Sequence, residues 1–209
     1  MVRVLRIDEL EPIAVAGLNW RPIRRTLGIT GFGINGYSAD AGRQLIEQHD
    51  ETGGGAGGHE ELYVVLSGYA RFTVDAEDIE APAGTLVFVP ELTSRRAAVA
   101  ISNATTVLVI GGDGGTIKPS AWEHYFAAQA ALSAGDPKGA YETAAAGLED
   151  HSESGSLHYN LACYAALAAD IDQAIAHITR AFELEPTTRE WAADDADLDA
   201  IRSDPRYPG

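Results

Sequence analysis

The sequence predicts an antiparallel β-sandwich or barrel followed by a region of α-helices. Short segments rich in β-branched and aromatic residues recur at intervals of about 8–12 residues in the middle of the chain, as in all-β domains. Composition changes near residue 120: 17 of the 22 glycines precede it, and 22 alanines follow it. Beyond that point, pairs of helical segments recur at a regular spacing. We therefore expect a β domain over residues 1–118 and a helical domain over residues 119–209.

Charge and composition narrow the function classes. The 209-residue chain has a net charge of −16, which disfavours binding to nucleic acid and to anionic membranes. No run approaches the roughly 18 uncharged apolar residues of a membrane span. A single cysteine, Cys163, cannot form an internal disulfide, and charged residues interrupt the N-terminal apolar runs. These features predict a cytoplasmic protein that handles a small molecule, a protein partner, or both.

Five segments read as strands, separated by turn residues such as Ser67-Gly68 and Pro82-Ala83-Gly84. They are Leu62–Leu66, Tyr69–Val74, Thr85–Val89, Ala97–Ile101 and Thr106–Ile110. Two glycine-rich stretches, Gly28–Gly36 and Gly53–Gly58, are predicted to be turns or loops. The segment from Trp20 to Ile29 could add strands to the sheet.

Four segments read as helices: Trp122–Ser133, Lys138–Glu149, Leu157–Ala168 and Asp172–Leu184. Asp136 and Asp170 occupy equivalent positions in the two helix pairs, and each is placed to cap the helix that follows it. A short capping helix is expected around Asp195–Arg202. The offset between the two pairs is a helix-turn-helix period of about 34 residues, which is typical of one repeat architecture.

Residues 40–112 resemble a cupin barrel of the jelly-roll type. The resemblance rests on Glu61 followed after six residues by Gly68, on Pro82-Ala83-Gly84 before the strand that ends at Pro90, and on the segment Thr106–Gly112. It implies a domain whose interior holds a small ligand, and it implies homodimers. Tyr63, Phe72 and Phe88 are candidate linings of an apolar pocket, or core residues.

The resemblance also implies a divalent metal held by three histidines and a glutamate, and here the sequence departs from the pattern. The first two histidine positions fall within Gly54–Gly57, and the third falls near Ser94-Arg95-Arg96. The usual three-histidine centre is therefore expected to be degenerate. His49 and His59 are the nearby imidazoles that could join Glu61, and such a nitrogen and oxygen set suits Fe, Mn, Ni or Zn.

Arg95 and Arg96 point to a different ligand chemistry. A guanidinium in place of a metal-binding imidazole repels a cation and can hold a carboxylate or phosphate through two hydrogen bonds. Because neighbouring strand residues face opposite sides, only one of the two arginines can point inward. That arginine binds an anionic ligand or forms an ion pair with Glu61; the residues leave both alternatives open.

Residues 122–186 resemble two tetratricopeptide repeats, a motif that implies a protein-interaction adaptor. The helical region carries 5 Lys/Arg against 16 Asp/Glu from residue 121 onward, so a basic peptide is the partner its charge favours. The helices could instead only buttress the β domain. Three functions follow from the sequence: a small-molecule-binding cupin-like protein, which we favour; a metal-dependent enzyme of the oxygenase or isomerase type; and an adaptor acting through the acidic repeats.

Overall fold

The computed structural model describes residues 2–15, 17–53 and 56–209. The chain divides into two compact units, one ending at Ile117 and the other beginning at Lys118. The predicted order of a β-rich part followed by a helical part is confirmed. Within the described ranges, no helix has both the length and the apolar character that crossing a bilayer requires.

The described part of the first unit contains ten strands and one short helix. These are β1 (Ile13–Val15), β2 (Leu18–Arg21), α1 (Ile23–Leu27), β3 (Gly33–Ala39), β4 (Gln44–His49), β5 (Glu60–Ser67), β6 (Tyr69–Val74), β7 (Glu77–Pro82), β8 (Leu86–Val89), β9 (Arg96–Ala100) and β10 (Thr105–Gly112). All the pairings are antiparallel, in a six-stranded sheet of order β1-β2-β3-β10-β5-β8 and a four-stranded sheet of order β4-β9-β6-β7.

The two sheets pack face to face around one apolar core. Inward side chains alternate along each strand, so that Tyr63 and Val65 of β5 meet Phe72 of β6 and Ala98 of β9 in the interior. No ladder joins the two sheets within the described ranges, so the predicted barrel is an open two-sheet sandwich. Burial of each large core side chain contributes about 1.5–3 kcal/mol, which holds the sheets together.

The prediction of a loop at Gly28–Gly36 is wrong for its second half, which begins strand β3. Glycine is used there because neighbouring groups approach the backbone closely. A Cβ at Gly33 would lie 3.2 Å from the carbonyl oxygen of Gly111, and one at Gly36 would lie 3.3 Å from Cβ of Arg21. The glycines therefore allow β3 to pack in the sheet. Only the first part of the predicted strand region Trp20–Ile29 lies in a strand, and the rest contains α1.

The described part of the second unit consists of helices and the turns that connect them. Its elements are α2 (Ala121–Ser133), α3 (Pro137–Ala145), α4 (Leu148–His151), α5 (Gly155–Leu167), α6 (Ile171–Leu184), α7 (Thr188–Ala192), a 3₁₀ turn (Ala196–Leu198) and α8 (Asp199–Arg202). The predicted helix over Lys138–Glu149 is wrong as a single element, because the chain breaks before Gly147, a poor helix former. The predicted capping helix is the 3₁₀ turn and α8, whose Leu198 and Ile201 are fully buried.

Helix capping in this unit follows the repeat seen in the sequence. The hydroxyls of Ser120 and Ser154 accept hydrogen bonds from the amides three residues on, and the carboxylates of Asp136 and Asp170 do the same for α3 and α6. Each cap satisfies an amide that the helix leaves unpaired, and loss of such a cap costs about 1 kcal/mol. The capping residues that mark the starts of these helices in the sequence therefore cap the same helices in the structure.

A chain of hydrogen bonds runs through the core between α5 and α6. Nε2 of His158 lies 3.0 Å from the carbonyl oxygen of Ser152, and the Nδ1 atoms of His158 and His177 are 2.8 Å apart. Nε2 of His177 lies 2.9 Å from the hydroxyl of Tyr141. A carbonyl only accepts, so with both imidazoles neutral His158 carries its proton on Nε2 and His177 carries its proton on Nδ1. The Tyr141 hydroxyl then donates to His177.

Candidate functional site

A cluster of ionisable side chains lies at one end of the sandwich, where β4 ends, β5 begins and β9 begins. His49 is the last residue of β4 and pairs in register with Arg96, the first residue of β9. Glu61 is the second residue of β5 and lies opposite Gly111 of β10. Strand alternation turns Glu61 to the same inner face as Tyr63, so a carboxylate enters the space between the sheets.

Three groups meet the Glu61 carboxylate, whose side chain is only 12% exposed. The Tyr63 hydroxyl donates to Oε2 over 2.5 Å, Nε of Arg96 lies 3.3 Å from the same atom, and Nε2 of His49 lies 3.5 Å from it. Burial opposes ionisation of Glu61, but the hydrogen bonds from His49 and Tyr63 outweigh it and lower its pKa. Burial, together with the negative charge of Glu61, raises the pKa of Tyr63. Glu61 is thus an anion and Tyr63 a neutral donor.

Arg96 is fully buried and forms the ion pair that the sequence left as one of two alternatives. Its Nη1 donates to the carbonyl oxygen of Ser94 over 2.8 Å, whereas Nε and Nη2 have no hydrogen-bond partner of good geometry among the described residues. A buried guanidinium without an anion would cost several kcal/mol, so Glu61 is the counter-charge that keeps Arg96 in the core. In this arrangement Arg96 is not presented to a ligand.

Glu51 is part of the cluster and was missed in the sequence. Its side chain is buried, and Oε2 accepts from the amides of Gly57 and His59 at 2.9 and 3.1 Å, while Oε1 lies 3.6 Å from Nε2 of His49. The sequence signal that could have identified Glu51 is its position two residues after His49, just beyond the end of β4. Glu51 therefore fixes the loop that leads into β5 and adds a second carboxylate.

His49 is oriented by the backbone. Its Nδ1 lies 2.7 Å from the carbonyl oxygen of Glu47 and so donates to it, which leaves Nε2 facing Glu51 and Glu61. The hydrogen bond to Glu61 is the largest cause that raises the pKa of His49, against the opposing effect of burial. A proton on Nε2 balances the charges of the cluster, since two carboxylates then face one guanidinium and one imidazolium.

The residues fit a divalent cation at the same place. One ligand atom from each of His49, Glu51 and Glu61 lies within 4.8 Å of the other two. The hydrogen bond from Nδ1 of His49 to a carbonyl is the arrangement that prepares Nε2 for a metal. Of the predicted metal set of His49, His59 and Glu61, this group contains His49 and Glu61, with Glu51 as its third member, whereas His59 is not part of it. The charge of Arg96 weakens such a site, and a cation has to displace the His49 proton.

A cavity of about 450 Å³ opens beside Glu61. The side chains on its wall are mostly polar, and one of them, Asn35 of β3, has a buried Oδ1 without a hydrogen-bond partner among the described residues. His59 lines this cavity, with Nε2 4.0 Å from Asp113. The lining residues are Arg24, Thr30, Gly31, Phe32, Gly33, Asn35, His59, Glu61, Val109, Gly111, Gly112, Asp113 and Thr116.

The other predicted site residues lie elsewhere. Arg95 is exposed because it alternates with Arg96, and its amide donates to Asp75. Phe72 is fully buried in the core, and Tyr63 packs on it at 5.3 Å between ring centroids. Phe88 is 56% exposed on the outer face of the six-stranded sheet, since the inward positions of β8 belong to Val87 and Val89. Gly54 and Gly55, at the first histidine positions of the cupin pattern, lie outside the described residues.

Solved structures of cupin proteins are similar to about half of this chain. A cupin protein from Bacteroides fragilis is 23% identical over 54% of this chain and 91% of its own, with a TM-score of 0.41. A predicted oxalate decarboxylase from Thermotoga maritima is 15% identical over 52% and 97%, with a TM-score of 0.43. A Cupin 2 conserved barrel domain protein from Salinispora arenicola is 15% identical over 55% and 91%, with a TM-score of 0.42. No family model matches the chain, and no curated protein matches it.

Proposed function

We propose that the first unit is a cupin-like domain that binds a small molecule in the cavity beside Glu61. The observation that carries this proposal is the cavity itself: at about 450 Å³ it is of a size typical of small-molecule sites, and its mostly polar wall also includes the apolar side chains of Phe32 and Val109. Glu61 is held rigid by Tyr63 and Arg96, so its carboxylate is positioned before a ligand arrives.

The polar groups of the cavity select the chemistry of the ligand. The carboxylate of Glu61 accepts hydrogen bonds, and the side-chain amide of Asn35 can both accept and donate them, so the ligand has to present hydroxyl or amino groups. Arg96 is paired with Glu61, which disfavours its use for an anionic ligand, one of the two alternatives that the sequence left open. An anionic group would fit only beside Arg24, an exposed residue of the cavity wall. A small polyhydroxylated molecule is the ligand class that these groups favour.

Binding is expected to depend on Asn35. In a melting screen of monosaccharides, polyols, amino sugars and hydroxycarboxylates, a ligand at a hundred times its Kd stabilises the protein by about 2.7 kcal/mol. Asn35→Ala removes one hydrogen bond and should weaken the best ligand about tenfold. Asn19→Ala, at an exposed position of β2, is the matched control and should leave affinity unchanged. A panel that moves no melting curve, or equal affinities for the two variants, would contradict the proposal.

A metal-dependent enzyme is the second candidate, favoured by the group of His49, Glu51 and Glu61. These residues would hold Fe, Mn, Ni or Zn, and such an ion supplies Lewis-acid polarisation of a ligand oxygen when bound. The chain's own residues would hold that ligand, because the side chain of Asn35 would form a hydrogen bond with it. The charge of Arg96 would favour the ionised form of Glu61.

Elemental analysis of protein purified without chelator tests this candidate. About one equivalent of metal is expected, falling at least tenfold in Glu51→Gln, which removes an anionic ligand. Glu47→Gln is the control, because that side chain is exposed and only its backbone contacts His49. A metal content far below one equivalent, with no stabilisation by added Mn²⁺ or Zn²⁺, would exclude a resident metal.

A further inference from the structure

The helical unit contains a second cavity, of about 460 Å³, formed by α2, α5, α7 and the segment that follows α7. It lies apart in sequence from every residue of the cluster around Glu61. Four aromatic and two acidic side chains are among its lining residues, which are Trp122, Tyr125, Ser156, Tyr159, Asn160, Trp191, Asp194 and Asp195.

The aromatic side chains form two edge-to-face pairs. Trp122 and Tyr125 meet edge to face, with ring centroids 6.0 Å apart and an interplanar angle of 89°. Tyr159 and Trp191 make a similar pair at 5.5 Å and 88°. Trp122 is 68% exposed and Trp191 is 46% exposed. Large rings left in water around a cavity are costly unless something covers them, and their π-faces attract cations.

The acidic side chains give the cavity its charge. Oδ2 of Asp195 accepts from the Tyr159 hydroxyl over 2.5 Å, and Oδ1 accepts from the amide of Asp197 over 3.0 Å. Arg202 donates to the backbone carbonyl of Asp195 and not to its carboxylate. No ion pair involves Asp194 or Asp195 among the residues that the structure describes. Within that part of the chain, the carboxylates of Asp194 and Asp195 therefore form no ion pair.

We propose that this cavity binds an arginine side chain of a basic peptide. A planar guanidinium can stack on Trp122 or Trp191 while its N–H groups reach Asp194 and Asp195, which a compact ammonium cannot do as well. An apolar segment would leave the carboxylates unpaired, and an acidic one would be repelled. The excess of 16 Asp/Glu over 5 Lys/Arg from residue 121 onward attracts a basic segment to this unit. This site is independent of the small-molecule cavity.

The test uses the full chain and a nonapeptide of alternating arginine and glycine, with binding measured by calorimetry and tryptophan fluorescence. A peptide with citrulline in place of arginine keeps the shape and removes the charge, and it should bind at least tenfold more weakly. Trp122→Ala and Trp191→Ala should each weaken the arginine peptide about 3- to 30-fold. Asp194→Asn should weaken it as well, whereas Glu149→Gln, an exposed charge outside the cavity, should change its affinity less than twofold.

Several results would overturn this proposal. Equal binding of the citrulline peptide would show that charge is not recognised, and tighter binding of a lysine peptide would contradict the arginine assignment. Unchanged affinity in both tryptophan variants would show that the peptide is attracted by the overall negative charge of the unit and not by the cavity. Tighter binding of tetramethylammonium than of the peptide would make the cavity a small-cation site. Melting curves identify a variant that is unfolded, and Trp122→Ala, at an exposed position, keeps the test decisive if Trp191→Ala fails to fold.

Discussion

Replacement of Arg96 by methionine is expected to lower the free energy of unfolding of the β unit by about 3–5 kcal/mol, the usual cost of removing one partner of a buried ion pair. Arg96 is fully buried, and Glu61 faces it at 3.3 Å. Without the guanidinium, Glu61 is an anion in a mostly buried place and must either take up a proton or draw in water. Urea denaturation followed by circular dichroism measures the loss.

Two further variants identify the cause of that loss. Arg95→Met changes the exposed neighbour and should alter stability by no more than about 0.5 kcal/mol. The double variant of Arg96→Met with Glu61→Gln removes both charges, so it should recover at least half of the lost stability. Equal effects of the two arginine variants would show that the ion pair is not a determinant of the fold.

Acidification is expected to destabilise the helical unit through its buried histidine pair. Burial, and next the neighbouring His158, lower the pKa of His177 to about 4, against an unfolded value of about 6.5. Between these values the unfolded state binds more protons, so the stability that His177 contributes falls as pH decreases from 6.5 to 4, and this contribution changes no further below that range. The full difference amounts to about 3 kcal/mol.

Comparison with His177→Gln separates this effect from the titration of carboxylates. The variant is less stable at neutral pH, because glutamine breaks the hydrogen bonds to His158 and Tyr141, but its stability should depend much less on pH between 6.5 and 4.5. His59→Gln, in the other unit, serves as the control and should keep the wild-type slope. A wild-type slope in His177→Gln would mean that His177 is not the source of the pH dependence.

Local patterns predicted much of the fold. β-Branched runs placed β5, β6, β8, β9 and β10, and strand alternation required that only one of Arg95 and Arg96 point inward, without showing that it is Arg96. Strand β7 was not predicted because half of its residues, from Glu77 to Pro82, are acidic, which is typical of a turn. Strands β1 and β3 were missed because they are short or interrupted by glycine, whereas the segment Trp20–Ile29, predicted to add strands, overlaps the end of β2.

The candidate site was harder to predict, because its members come from distant parts of the chain. Asn35 lies in a glycine-rich segment that carries no strand signal, and Arg24 lies on a five-residue helix. Glu51 and Glu61 are ten residues apart in the sequence and come together only in the folded structure. His158 and His177 likewise meet only through the packing of α5 on α6. Spacing along one chain reports which residues share a face, but not which faces meet.

The most direct test of the proposed function maps the best ligand of the melting screen by amide chemical shifts in the full chain. We expect the largest chemical-shift changes around the cavity, at Asn35, Glu61 and Gly111. These changes should disappear in Asn35→Ala but not in Asn19→Ala. Changes confined to the helical unit, or spread evenly over the surface with no dependence on Asn35, would contradict it.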